Sequence, residues 1–181
     1  MIPDTTDVYL PAEDTAALVK VLSTYRGETC LEIGFGSGAV LRSLSPRFER
    51  VVGTDILSVA EAKAAKGDAE VVLADRAACF REGAFDLVAF NPPYLPSEVI
   101  EDRTVDGGKG GLQVPLAFLE EALRVSKNDG TIVLLLSDEA DIDEFRGLCE
   151  RRGLHAHEKG MTALFFENLF VFEVRRARGP A

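Results

Sequence analysis

Short apolar runs alternate with helical stripes along most of this 181-residue chain, and that alternation leaves few folds open. Thr29–Ile33, Arg50–Thr54, Glu70–Ala74, Phe85–Phe90 and Thr131–Leu136 read as strands. Residues 13–25, Ser37–Pro46, 57–66, 113–127 and 139–152 read as helices. In the first of these, Ala17, Leu18, Val21 and Leu22 make one apolar stripe at helical spacing. Asn128-Asp129-Gly130 is expected to stop the fourth helix, and Gly153 the fifth. Strand and helix in alternation predict a parallel sheet covered by helices on both faces. Residues 154–164 and 168–175 read as a closing β-hairpin, with phenylalanines at 165, 166, 170 and 172. The polar, glycine-rich stretch Ser97–Leu112 is 16 residues long, more than an ordinary connection, and suggests a lid or binding loop. No repeat or linker interrupts the pattern, so one domain spanning 1–181 is expected.

Charge and cysteine usage narrow the class. A net charge of −10 disfavours tight binding to a nucleic-acid backbone, although a local basic patch or a partner subunit could supply the missing charge. The short basic tail Arg175-Arg176-Ala177-Arg178 reads as a solvated terminus. Cys30, Cys79 and Cys149 are far apart and form no CxxC pair, which predicts reduced, mostly buried thiols rather than a disulfide or zinc framework. No apolar stretch approaches the roughly 20 residues that span a bilayer, and Met1-Ile2-Pro3-Asp4 does not open a signal peptide. A cytoplasmic protein is expected. His155 and His157 alternate along one strand, but two histidines without a third ligand do not make a metal site.

Leu31-Glu32-Ile33-Gly34-Phe35-Gly36-Ser37-Gly38 joins the first strand to a helix. Glycines there let the backbone turn sharply and approach a ligand with no Cβ in the way. The spacing Gly34-x-Gly36-x-x-Ala39 also fits a dinucleotide fingerprint, so the loop alone leaves nicotinamide and other adenosine cofactors open. Glu32, two residues before the first glycine, places a carboxylate where it can face a cationic ligand. Asp55 ends the second strand, 21 residues after Gly34, placed to accept from ribose hydroxyls. Asp75 ends the third strand in the same manner, where it would lie beside an adenine. Either aspartate could instead cap the following helix.

Asn91-Pro92-Pro93-Tyr94 follows the apolar strand Phe85–Phe90. Pro-Pro is unfit for a helix interior or a central ladder, so the chain leaves the sheet here. A primary amide, outward backbone carbonyls and an aromatic plate suit a flat NH2 group that must donate both hydrogens. The nitrogen of such a group is a poor nucleophile because its lone pair is delocalised. Acceptors at the Asn91 side-chain oxygen and the Pro92 carbonyl would fix it in line with a methyl donor. They would also stabilise the positive charge that develops as the N–C bond forms. Tyr94 would stack on the planar group. No strong base is needed, since the methylated nitrogen becomes acidic.

Together, Glu32-x-Gly34-x-Gly36-x-Gly38, Asp55, Asp75 and Asn91-Pro92-Pro93-Tyr94 resemble a class I S-adenosylmethionine-dependent methyltransferase. That resemblance implies an α/β, Rossmann-like fold: a seven-stranded, mostly parallel sheet with a C-terminal antiparallel hairpin and helices on both faces. Asp7-Val8-Tyr9-x-Pro11-x-Glu13-Asp14-Thr15 is similar to the N-terminal signature of HemK-like glutamine N5-methyltransferases in their short eukaryotic and archaeal branch. Gly107-Gly108-Lys109-Gly110-Gly111 and Lys159-Gly160-x4-Phe165-Phe166-Glu167-x-Leu169-x-Val171 resemble two further elements of that branch. Thr104-Val105-Asp106 departs from it, standing where a tryptophan is often found. The resemblance implies S-adenosylmethionine as cofactor, lined by Thr15, Glu32, Gly34, Gly36, Gly38, Asp55, Asp75 and Asn91. It assigns Asn91, Pro92 and Tyr94 to the acceptor amide, a glutamine of a class I translation release factor. It also implies a heterodimer with a small zinc-binding activator protein, for which Glu70–Ala74, expected at a sheet edge, is the docking strand. A nucleobase methyltransferase acting on adenine N6 or guanine N2, a lysine methyltransferase and a non-enzymatic adenosine-binding module are the alternatives.

Overall fold

The computed structural model describes residues 12–56 and 67–177. The helix expected over 57–66, Asp7, Val8, Tyr9 and Pro11 of the N-terminal signature, and Arg178 lie outside the described residues. Strands β1 (Gly27–Ile33), β2 (Phe48–Asp55), β3 (Glu70–Leu73), β4 (Phe85–Phe90) and β7 (Ser126–Ser137) run parallel in one sheet. The hairpin of β8 (Leu154–Ala163) and β9 (Asn168–Arg176) completes it, with β9 antiparallel to β7. The order is β3-β2-β1-β4-β7-β9-β8, seven strands with β3 and β8 at the edges. Two short strands, β5 (Leu95–Pro96) and β6 (Asp106–Gly108), pair separately.

Helices cover both faces because the parallel strands are apolar on both. Along β1, Cys30 belongs to one core cluster and Leu31 and Ile33 to the other, as alternation across a pleat requires. The first cluster takes Ala17 and Leu18 from α1 (Glu13–Leu22) and Val40, Leu41 and Leu44 from α2 (Ala39–Leu44). The second takes Leu119, Ala122 and Val125 from α3 (Gln113–Val125) and Phe145 and Cys149 from α4 (Ile142–Arg151). Strands are added on one side of β1 through β3 and on its other side from β4 onward, and that switch of winding opens a crevice between β1 and β4 at the carboxyl ends of the strands. No helix among the described residues is long and apolar enough to cross a membrane.

Several sequence expectations need correction. Helix α2 begins at Ala39 rather than Ser37, because Gly38 sits at φ 72°, outside helical space. Asn128-Asp129-Gly130 does not stop α3, which ends at Val125. It forms a bulge inside β7, where the register passes from Phe85 opposite Ser126 to Leu87 opposite Thr131. A Cβ on Gly130 would lie 2.9 Å from the Lys127 carbonyl oxygen, so the bulge closes only on glycine. Cys30 and Cys149 are buried thiols, pushed up to about 12 and about 11 by burial, but Cys79 is exposed.

The stretch Ser97–Leu112, expected as a lid or binding loop, is well ordered by its own hydrogen bonds. It is a folded brace: Leu95 N–H donates to the Val105 carbonyl at 2.9 Å, and Asp106 Oδ2 accepts from the Glu101 and Asp102 N–H groups at 2.9 and 2.8 Å. Its glycines serve contact rather than mobility. A Cβ on Gly107 would meet Tyr94 Cα at 2.7 Å, and one on Gly111 would collide with the Tyr94 carbonyl oxygen. This block therefore clamps the backbone of the Asn-Pro-Pro-Tyr segment from beneath.

Candidate active site

Gly34 leaves β1 and Asn91 leaves β4 from paired positions, since Ile33 lies opposite Phe90. The two motifs thus emerge side by side in the crevice, about 5 Å apart at the strand spacing. Gly34, Gly36 and Gly38 all have positive φ, at 75°, 47° and 72°. The Gly34 and Phe35 N–H groups both donate to the Thr54 carbonyl, at 2.7 and 3.2 Å. Asp55 fixes the next turn of the loop: its Oδ2 accepts from Gly36 N–H at 2.8 Å and its Oδ1 from Ile56 N–H at 2.7 Å. Each carboxylate oxygen can take a further donor, so bracing the loop leaves Asp55 able to bind hydroxyls.

Glu32 is 3% exposed and its Oε2 has no hydrogen-bond partner. Burial pushes its carboxyl well above the usual range; a hydrogen bond from the Leu41 backbone opposes this, and the nearby Asp55 charge adds to it. The Leu41 N–H belongs to the first turn of α2, whose N-cap Gly38 offers no side chain. Glu32 therefore supplies the missing cap with one oxygen and keeps the other unpartnered beneath the glycine loop. Thr54 Oγ1, on the adjacent strand, is likewise buried without a partner.

Asn91 shows the same pattern more sharply. Its Nδ2 donates to Asp14 Oδ2 at 2.7 Å, while its Oδ1 is buried and unpartnered. A carboxylate only accepts, so Asp14 holds the NH2 end of the amide and turns the oxygen end away from itself. Asp14 is 4% exposed at the start of α1, and its Oδ1 takes the Thr15 N–H at 2.6 Å. Thr15, named as a ligand residue from sequence, is thus brought to the site beside Asp14, which carries the contact to Asn91. Pro92 is buried, and Tyr94 packs partly buried between the two core clusters.

Asp75 stands apart from these. Its side chain is 70% exposed and pairs with Arg76 at 3.2 Å, with no hydrogen bond to another expected site residue among the described residues. It follows β3, the edge strand, where Ala74 N–H donates to the Asp55 carbonyl at 2.9 Å.

Two residues at this site escaped the sequence reading. Asp14 carries a signal, since it lies within the N-terminal signature beside Thr15, but only its contact with Asn91 shows its role. Phe118 carried none, because on α3 it reads as one more apolar residue of an amphipathic stripe. Its ring lies 3.6 Å from where a Gly34 Cβ would stand, with its centroid 5.7 Å from that of Phe90. It therefore walls the glycine loop opposite Glu32's side of the sheet. His155 and His157 stack at 6.0 Å on exposed β8, away from the crevice.

Comparison with known proteins agrees with this geometry. Residues 31–92, from β1 through Pro92, match the family model described as a methyltransferase domain. A Methanocaldococcus jannaschii protein named for protein N5-glutamine methyltransferase activity is 30% identical, over 94% of this chain and 92% of its own length. Mouse methyltransferase HEMK2 is also 30% identical, over 87% of this chain and 83% of its own. Among solved structures, the E. cuniculi Mtq2-Trm112 complex, responsible for methylation of the eRF1 translation termination factor, matches with a TM-score of 0.80. That match has 24% identity and covers 93% of this chain and 98% of the matched one, which shows the class I methyltransferase fold. Sequence likeness over nearly the full length of both chains goes further than fold: this chain belongs to the HemK-like protein N5-glutamine methyltransferases.

Proposed function

We propose that this protein transfers a methyl group from S-adenosylmethionine to the side-chain amide nitrogen of a glutamine in a class I translation release factor. The observation that carries the proposal is the Asn91 amide: its nitrogen is engaged by Asp14 and its oxygen is buried without a donor. A buried acceptor left unpaired costs about 1–3 kcal/mol, a cost that an arriving N–H donor relieves. Asn91 Oδ1 and the Pro92 carbonyl accept the two hydrogens of the glutamine NH2 and aim its nitrogen. Tyr94 stacks on the amide plane. These acceptors stabilise the charge that appears on nitrogen, and the proton then leaves to solvent without a dedicated base.

The crevice suits the cofactor. Three glycines at positive φ leave backbone exposed to a ligand, and Glu32 Oε2 waits unpartnered below them. When bound, S-adenosylmethionine supplies an electrophilic methyl group on a sulfonium. Glu32 would face that positive ligand as a carboxylate, its proton released to solvent on binding, Asp55 would accept from ribose hydroxyls while still bracing Gly36, and Thr15 would line the entrance beside Asp14. Asp75, exposed after β3, accepts from the adenine end.

A small zinc-binding activator as second subunit is part of the proposal. β3 is an edge strand of the sheet, with its own Leu73 43% exposed and Ile56, just past the end of β2, 60% exposed, and such an edge suits a docking partner. The neighbouring Mtq2-Trm112 structure is itself a two-protein complex.

Incubation of the heterodimer with methyl-labelled cofactor and a release factor tests the assignment. Asn91→Ala is expected to lower transfer about a hundredfold or more while cofactor binding persists. Label entering tRNA or DNA in place of the release factor overturns it.

A further inference from the structure

The tip of the β8–β9 hairpin carries the most exposed apolar residues described in the molecule, Phe165 at 92% and Phe166 at 89%. Singly exposed apolar side chains are ordinary, but two adjacent phenylalanines packed edge to face at 4.7 Å form a platform. The platform is held in place. Leu164 N–H donates to the Glu167 carbonyl at 2.8 Å, and Leu164 itself packs against the first core cluster. Asn168 donates to both oxygens of Asp138, at 2.8 and 2.6 Å, and returns its carbonyl to the Asp138 N–H at 3.0 Å.

Topology puts this tip on the catalytic edge. Leu169 lies opposite Ser137 at the carboxyl end of β7, and β7 is the strand next to β4, which delivers Asn91. The hairpin base is thus two strand spacings from Asn91, about 10 Å. The segments that follow the carboxyl end of β7 and the Asn-Pro-Pro-Tyr turn are rich in carboxylates. Asp138, Glu139, Asp141, Asp143 and Glu144 follow β7 with no cationic residue among residues 138–144. The brace after Tyr94 adds Glu98, Glu101, Asp102 and Asp106 against one cation, Arg103, before Gly107.

We infer that Phe165 and Phe166 dock the substrate protein: they bind a basic, partly apolar segment beside the glutamine and so present that glutamine to Asn91. Charge complementarity selects this occupant. An anionic membrane is repelled by these carboxylates, and a second copy of a chain with net charge −10 is repelled likewise. The inference rests on the release-factor reading of the site and extends it from the reacting amide to the surface that delivers it. Aromatic anchors in such a position dominate binding energy.

The test is steady-state methyl transfer to an intact class I release factor by the wild-type heterodimer and by F165S/F166S, with cofactor affinity and melting temperature measured on both. The expected result is a KM for release factor raised about tenfold or more, with kcat, cofactor Kd and melting temperature unchanged. Glu139→Lys, away from the hairpin's hydrogen bonds, is expected to raise the same KM and to flatten its dependence on salt. An unchanged KM in F165S/F166S, a shift from dimer to monomer in that variant, or its loss of binding to anionic vesicles overturns the docking assignment. Failure of the wild-type enzyme to label release factor at all is a different result, and overturns the substrate reading beneath it.

Discussion

The two ends of strands β1 and β4 carry opposite kinds of polar chemistry. At the amino end, Asp86 Oδ2 accepts from the Thr29 N–H and hydroxyl at 2.9 and 2.8 Å, and its Oδ1 takes Lys127 Nζ at 2.6 Å. Burial alone would raise Asp86, but the Lys127 and Thr29 donors outweigh it and hold its carboxyl below the ordinary range. At the carboxyl end, Glu32 Oε2, Thr54 Oγ1 and Asn91 Oδ1 are buried with no partner. Glu32 is held far above the ordinary range, mainly by burial. These strands, with Thr54 of neighbouring β2, therefore end in a satisfied network at one side and an unsatisfied one at the other. Satisfied polar groups lock the sheet, whereas unsatisfied ones hold binding capacity ready for a ligand.

The contrast breaks most visibly at Asp14. Asp14→Ala frees the Asn91 amide to rotate, and kcat for methyl transfer is expected to fall about a hundredfold with cofactor affinity little changed. Asp14→Asn keeps an acceptor facing Nδ2 and should recover much of the rate. Full activity in Asp14→Ala would refute the positioning role.

At the opposite end the expected loss is stability rather than rate. Asp86→Ala removes the acceptor of the Thr29 N–H and hydroxyl and leaves Lys127 only its longer contact to Glu28, costing about 1–2 kcal/mol in chemical denaturation while kcat holds. A lowered folded-state pKa contributes stability above the unfolded value and loses it as pH falls through the folded one. The gap between wild type and Asp86→Ala should therefore narrow in acid, below about pH 4.

Glu32 inverts that sign. A raised folded-state pKa means stability present below the unfolded value and lost as pH rises through the folded one. Glu32→Gln should melt higher than wild type without cofactor, with a margin that widens as pH climbs from about 4.5. The same variant should bind S-adenosylmethionine more weakly. A margin that shrinks with rising pH would mean the carboxyl is not desolvated. The smallest effect separates surface from core: iodoacetamide on the native protein should modify Cys79 quickly and spare Cys30 and Cys149, as peptide mapping would show.

Much of the site was legible because it depends on residue type at fixed spacing. Glycines at 34, 36 and 38 are needed wherever a loop turns at positive φ, and Pro92-Pro93 must leave a ladder wherever it occurs. The element pattern was legible for the same local reason, since burial on two faces leaves strands continuously apolar. Where expectation failed, distant contact was the cause. Asn128-Asp129-Gly130 reads as a helix stop, yet Lys127 must bulge out to reach Asp86. Gly107 and Gly111 read as parts of a glycine-rich loop element, and only the packing shows why glycine is needed there: the Tyr94 backbone presses against both.

By itself, then, the sequence determined the alternating fold, the glycine loop and the Asn-Pro-Pro-Tyr turn that leaves the sheet, all of which are properties of a chain and its nearest neighbours. Tertiary structure alone decided which way the Asn91 amide faces, because the group that orients it, Asp14, is 77 residues away. It also decided that Phe118 walls the loop, that Asp75 stands exposed, and that two phenylalanines lie at the same edge of the sheet as the Asn91 amide. Spacing along the chain encodes which groups are present. Only packing brings residues from separate elements within the few ångströms over which hydrogen bonds and dispersion act.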